Sequence, residues 1–256
     1  MSAQILAVAN QKGGVGKTTT TVNLAASLAS KCRRVLVVDL DPQGNATTGS
    51  GINKATIENG VYQVVLGETD IPNAVVRSKE GGYDVLGANR TLAGAEVELV
   101  QEIAREIRLK NALQLVADNY DYVLIDCPPS LTLLTLNGLV AANGVIVPML
   151  CEYYALEGIS DLVATVRKIR QAINPDLDVT GIVRTMYDSR SRLVVEVSEQ
   201  PKKHFGNLLF DSVIPRNIRL AEAPSHGLPA LAYDAHAKGT QAYLDLADEL
   251  IARLEK

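Results

Sequence analysis

The ten residues Asn10-Gln-Lys-Gly-Gly-Val-Gly-Lys-Thr-Thr19 constrain this chain more than any others. They follow a short apolar run, residues 5–9, and open a helical one, residues 18–30. A glycine-rich turn between strand and helix lets successive backbone N–H groups point at one anion, and the helix N-terminus adds partial positive charge. Lys17 supplies a counter-charge for β- and γ-phosphates, and the Thr18 hydroxyl a ligand for Mg²⁺. An ordinary turn does not call for strand, glycines, Gly16-Lys17-Thr18 and helix in one register.

Other apolar runs recur at residues 35–38, 123–125, 145–147, 179–183 and 208–214, with a weaker one at 83–86. They are rich in Val and Ile and apolar on both faces, as strands of a covered parallel sheet are. Helical stretches lie between them, at 92–116, 133–141, 156–173 and 194–205. This alternation predicts an α/β fold with a doubly wound, mainly parallel sheet and right-handed crossovers. Ligands of such sheets sit beyond the C-terminal ends of the strands. No linker or repeat interrupts the pattern, so one domain is expected over residues 1–256.

Residues 127–151 form a run of 25 without a charge, long enough to span a bilayer. Pro128, Pro129, Asn137, Gly138, Asn143, Gly144 and Pro148 divide it into strand end, loop, helix and second strand. Near the C-terminus, Tyr243, Ala247, Leu250, Ile251 and Leu254 make an apolar stripe at helical spacing, opposite a face of net charge −2. A membrane-surface helix needs Lys and Arg there, so docking on the body is expected and stable membrane association is not. The first ten residues show no basic segment ahead of an apolar core, and no signal peptide is expected. Cys32, Cys127 and Cys151 have neither CxxC spacing nor an even count, which fits a reducing cytoplasm better than a disulfide scaffold or zinc site.

The formal net charge of −4 excludes a generally cationic nucleic-acid binder. The average conceals two basic zones. Residues 1–38 carry five basic side chains and no acid, and residues 184–219 carry seven basic against four acidic. The remainder stands at −12, so anion binding is expected only at defined places.

The loop departs from the usual phosphate-loop pattern. Gln11 stands where a glycine is standard, five places before Gly16, and Lys12 adds a second lysine. Lys12 is too early to wrap easily onto its own phosphates but can reach a nucleotide across a dimer interface. The loop resembles the deviant Walker A loop of the ParA/MinD ATPases, where the early lysine contacts ATP bound to the opposite subunit. The strings VVDLDPQGNATTG, LAGAEVELV, DYVLIDCPPSL, CEYYALEGISDL, VIPRNIRLAEAPSHGLPA and GTQAYLDLADEL extend the likeness over nearly the whole chain. They resemble the ParA/Soj chromosome and plasmid partitioning ATPases, of the compact type without an N-terminal DNA-reading extension.

Two strand ends fit that resemblance. Asp39 orients the loop or the metal shell, and Asp41 positions the attacking water; the alternative for both is loop capping. Asp126 closes an apolar strand and suits a Mg²⁺ contact through water, beside Thr18. Catalysis falls to Lys12, Lys17 and Asp41. Nucleotide binding falls to Gln11, Lys12, Gly13, Gly14, Val15, Gly16, Lys17, Thr18 and Thr19. The resemblance implies that Val213 to Asn217, including Pro215 and Arg216, lies along the adenine with Met186 beside it. Asn53-Lys54-Ala55-Thr56 ends in Thr and is no guanine-reading NKxD, so ATP is favoured over GTP.

Sequence-independent DNA binding requires only Lys and Arg near phosphates. Arg190, Arg192, Lys202, Lys203 and Arg219 are the candidates, with Arg190 and Arg219 preferred by the resemblance. Each arginine has a plainer alternative, a solvated charge or an ion pair with Asp188 or Glu222. For Lys202 and Lys203 the alternative is support of a helix dipole. The resemblance further implies an ATP-sandwich homodimer, non-specific double-stranded DNA, a ParB-type DNA-bound partner that speeds hydrolysis, and a cytoplasmic, nucleoid-associated location. A MinD-like membrane-cycling ATPase and a metabolic enzyme of the same fold are the rival readings.

Overall fold

Runs of Val, Leu and Ile that cannot tolerate water on either face build the centre of the molecule. Every residue of Val35–Asp39 and Tyr122–Asp126 is buried. The computed structural model describes residues 3–152, 155–188 and 204–255. Its strands are β1 (Gln4–Val8), β2 (Val35–Asp39), β3 (Val75–Ser78), β4 (Tyr83–Leu86), β5 (Tyr122–Asp126), β6 (Gly144–Leu150), β7 (Asp178–Tyr187) and β8 (Leu209–Pro215). They form one sheet in the order β3-β4-β2-β5-β1-β6-β7-β8. All neighbours run parallel except β3 and β4. β1 is flanked by β5 and β6, so the chain winds outward from β1 in both directions.

Helices cover both faces. In chain order they are α1 (Lys17–Ser30), α2 (Asn45–Gly49), α3 (Val61–Leu66), α4 (Ile71–Ala74), α5 (Leu92–Glu98), α6 (Arg108–Gln114), α7 (Leu133–Ala141), α8 (Ala155–Ala172), α9 (Ile218–Glu222), α10 (Ala230–Tyr233) and α11 (Lys238–Leu254). One apolar cluster joins the sheet to α3 through α8. The second, on the opposite face, joins it to α1, α10 and α11. Tyr243, Ala247 and Leu250 of the C-terminal stripe are buried in this second cluster, so α11 docks on the body as its spacing predicts.

The single helix expected over residues 92–116 is a correction. α5 ends at Glu98, a 3-10 turn follows, Ala104 adopts φ 55°, and α6 starts at Arg108. No proline or glycine marks the break, but a buried partner does. Asn137 of α7 accepts the Leu109 N–H (3.2 Å) and donates to the Arg105 carbonyl (2.7 Å). These are backbone groups that a continuous helix would satisfy internally, and the buried amide does so instead. Arg108 also pairs with Glu102 across the gap. The expected helix over residues 194–205 lies almost wholly outside the described residues.

α11 also closes one end of the sheet. The Glu249 carboxylate accepts the N–H groups of Asp211 and Ser212 (2.9 Å each), and Arg253 donates to the carbonyls of Leu209 (2.8 Å) and Thr180 (3.3 Å). Burial acts to raise the Glu249 pKa, yet the two N–H donors and Arg253 win and hold it below its usual value. A depressed carboxyl contributes stability above its unfolded pKa and loses it as pH falls through the folded one. Glu249→Ala is therefore expected to cost about 1–2 kcal/mol at neutral pH, as loss of charge-assisted bonds to partly exposed donors does. The difference between denaturant titrations of the two proteins should shrink as pH falls below the ordinary glutamate range.

Candidate functional site

The ends of β1, β2 and β5 meet because the register pairs Val8 with Asp126 and Asp39 with Asp126. The loop leaving β1 turns above them. Gly14 and Gly16 take φ of 71° and 87°, left-handed values that a side chain would strain. Val15 between them is buried, and its carbonyl receives a bond from the Thr185 hydroxyl of β7 (2.8 Å). Gly16 then caps α1 without any side-chain acceptor, leaving the first N–H groups of the helix to an incoming anion.

Lys17 lies inside this loop at 8% exposure, with its ammonium donating to the Lys12 carbonyl (3.1 Å). Burial lowers its pKa, opposed chiefly by the charge of Asp126. The Thr18 hydroxyl donates to Asp126 Oδ2 (2.7 Å), and the Thr21 hydroxyl lies 3.1 Å from Oδ1. Asp39 is equally buried. Its Oδ2 accepts the N–H and hydroxyl of Thr47 (2.8 and 2.7 Å), and its Oδ1 accepts the Asp41 N–H (3.1 Å). Burial pushes both carboxyls above the ordinary range, and the charge of Asp39 adds to the rise at Asp126. Asp41 is half-buried, and its Oδ1 accepts the Gln43 N–H (2.9 Å).

This donor set fits a hard divalent cation held partly by phosphate. It consists of oxygens, it concentrates negative charge, and Thr18 stands between helix terminus and carboxylate. Among the described residues no group of three or more His, Cys, Asp or Glu could hold a metal ion alone, so phosphate oxygens and water have to complete the shell.

Beside the loop opens a cavity of about 620 Å³. Met186, Pro215, Arg216 and Asn217 line it together with Gly16 and Thr19, so the two distant segments expected around a base are neighbours. Tyr187 pairs with Pro215, which sets them side by side. Met186 has φ 50°, an uncommon conformation for a side-chain-bearing residue. Ile214, inside the segment expected along the base, joins Leu220 and Tyr243 in the apolar wall, and sequence reasoning missed the last two. It also missed Thr21, Thr47 and Thr185; only Thr21, one helical turn after Thr18, carried a usable signal.

Gln11, Lys12 and Gly13 occupy the exposed outer lip of the loop. The Lys12 ammonium pairs with Glu152 at 2.5 Å, and a Cβ added to Gly13 would meet nothing within 4 Å. Arg219 is exposed on α9, where it pairs with Glu222 (2.9 Å) and Asp234 (3.3 Å). Arg190, Arg192, Lys202 and Lys203 lie outside the described residues. No described helix is long and apolar enough to cross a membrane.

Fold and loop together define a phosphate-loop nucleotide hydrolase. A family profile described as an AAA domain matches residues 3–179. The sporulation initiation inhibitor protein Soj of Bacillus subtilis is 52% identical over 249 residues, 97% of this chain and 98% of that one. The chromosome partitioning protein ParA of Caulobacter vibrioides is 48% identical over 252 residues, 98% and 94% of the two chains. The structure of cobyrinic acid a,c-diamide synthase from Mycobacterium smegmatis, with bound ATP analog and magnesium, superposes with a TM-score of 0.87 at 39% identity, covering 99% and 96% of the chains. The chain belongs to the ParA/Soj family of chromosome-partitioning ATPases.

Proposed function

We propose that the chain is one ATPase domain that binds ATP with Mg²⁺, pairs with a second copy across the nucleotides, holds DNA without sequence preference in that state and releases it on hydrolysis. The observation that carries this reading is the division of the loop. Lys17 is enclosed within it, while Lys12 and Gly13 stand on a lip open to a second molecule. Lys17 and the N–H groups of residues 11–19 hold the phosphates. Met186, Pro215, Arg216 and Asn217 flank the base. Thr18, and Asp126 through water, hold Mg²⁺, which when bound neutralises charge on the phosphate oxygens. Asp41 orients the attacking water, and Lys12 leaves Glu152 to reach the partner's phosphates.

Arg190, Arg192, Lys202, Lys203 and Arg219 make the DNA surface, doubled in the dimer so that each patch raises the effective concentration of the other. A ParB-type protein on DNA accelerates hydrolysis, and the protein resides in the cytoplasm on the nucleoid. The membrane-cycling alternative gains nothing from α11, whose apolar stripe is already buried against the body. The mycobacterial synthase supports an ATP-dependent ligase less well, since Soj and ParA share more of this sequence.

The test is affinity for two unrelated duplexes with ATP, with ADP and without nucleotide. Tight binding of both with ATP alone is expected; equal affinity in all three conditions overturns the DNA switch. Gly13→Val tests the dimer separately. The space around Gly13 accepts a side chain within one protomer, so nucleotide binding should persist while the partner loop is blocked. Light scattering with ATP should then report a monomer, and a stable dimer removes Gly13 from the interface.

A further inference from the structure

Arg219 does not present a bare charge. Its Nη1 pairs with Glu222 at 2.9 Å, its Nε with Asp234 at 3.3 Å, and its guanidinium carbon lies 5.9 Å from the Tyr233 ring centre. Exposed ion pairs are ordinarily loose, because two long side chains must be held in one geometry. Here both carboxylates are already fixed by other donors. Glu222 Oε2 also accepts the Tyr233 hydroxyl (3.3 Å), and that ring stacks on His226 with centroids 4.9 Å apart. Asp234 Oδ1 accepts the His236 N–H (3.1 Å), while its own N–H and carbonyl are bonded to Ala230 and Thr240 (2.8 Å each).

A guanidinium offers the same planar donors to a carboxylate and to a phosphate. We propose that Glu222 and Asp234 form an acidic clamp on Arg219 that a DNA phosphate has to displace, which sets each contact weak and easily reversed. This rests on the reading above that Arg219 touches DNA. The clamp also stands close to the cavity beside the phosphate loop. Asn217, which lines the 620 Å³ cavity, caps α9 by accepting the Arg219 N–H at 2.9 Å. A dimer carries the clamp twice, so both copies must open for full engagement.

The experiment compares wild type, Arg219→Gln, the double variant Glu222→Gln/Asp234→Asn and the triple variant. Affinity for two unrelated duplexes is measured over a salt series with a slowly hydrolysed ATP analogue. The replacements preserve side-chain size at partly exposed positions, and thermal melts check the fold. The double variant should bind roughly three- to tenfold more tightly, the scale of one or two surface ion pairs relieved. Its log K against log salt should steepen by about 0.9 for each phosphate newly neutralised. In the Arg219→Gln background the same two changes should have little effect. Equal tightening with and without Arg219 means general loss of negative charge, and overturns the clamp. Unchanged affinity in the double variant, with weakened binding in Arg219→Gln, also overturns it. If Arg219→Gln binds DNA as wild type does, the assignment of Arg219 to DNA fails first, and the clamp with it.

Discussion

Replacing Lys17 by alanine is expected to abolish measurable ATP binding while leaving the empty protein at least as stable as before. The ammonium is buried, and its hydrogen bond runs to a loop carbonyl, not to a carboxylate. A cation held in that way is costly without its ligand, which is why burial lowers the Lys17 pKa. Removing it relieves that cost and deprives the triphosphate of its main counter-charge. Truncating one partner of a buried charged contact typically costs about 2–5 kcal/mol, or about 30- to 5,000-fold in affinity. Thermal melts with and without ATP read both halves. Wild type should melt higher with ATP, and the variant should melt at one temperature in both. An ATP-dependent shift of wild-type size in Lys17→Ala would show that the loop register is wrong.

Asp41→Ala should separate binding from turnover. Asp41 sits two residues beyond the end of β2, with one oxygen engaged by the Gln43 N–H and its backbone anchored on Asp39. The loop therefore keeps most of its support when the carboxylate is removed. Loss of a group that orients or deprotonates water lowers the chemical step by about 10²- to 10⁴-fold. ATP affinity should stay within a few-fold of wild type. The nucleotide-bound dimer should accumulate instead of turning over. Phosphate release and light scattering on one sample are sufficient, and wild-type turnover would assign the water to another group.

Much of this site was legible because its chemistry lies at the ends of apolar strands. Asp39 and Asp126 each close a run of Val, Leu and Ile, and strands of that kind pair in parallel, which brings their last residues together. Lys17 and Thr18 follow from the glycines around them. The wall of the cavity was less legible. Tyr243 and Leu220 read as ordinary core positions, and nothing local distinguishes a side chain that faces a cavity from one that faces a neighbour. β3 was missed because it is four residues long, half exposed and paired on one side. Residues 92–116 read as one helix because the amide that breaks it, Asn137, lies a full element away.

A sheet that ends in unpaired N–H and C=O groups invites a second chain to add a strand, and such growth has no natural stopping point. Here Glu249 and Arg253 engage three backbone groups of β8, the N–H groups of Asp211 and Ser212 and the Leu209 carbonyl, and the opposite edge is the short β3, which carries Arg77. A short edge strand at one side, and a helix anchored to the other, each make the sheet a poorer template for strand addition by a second copy.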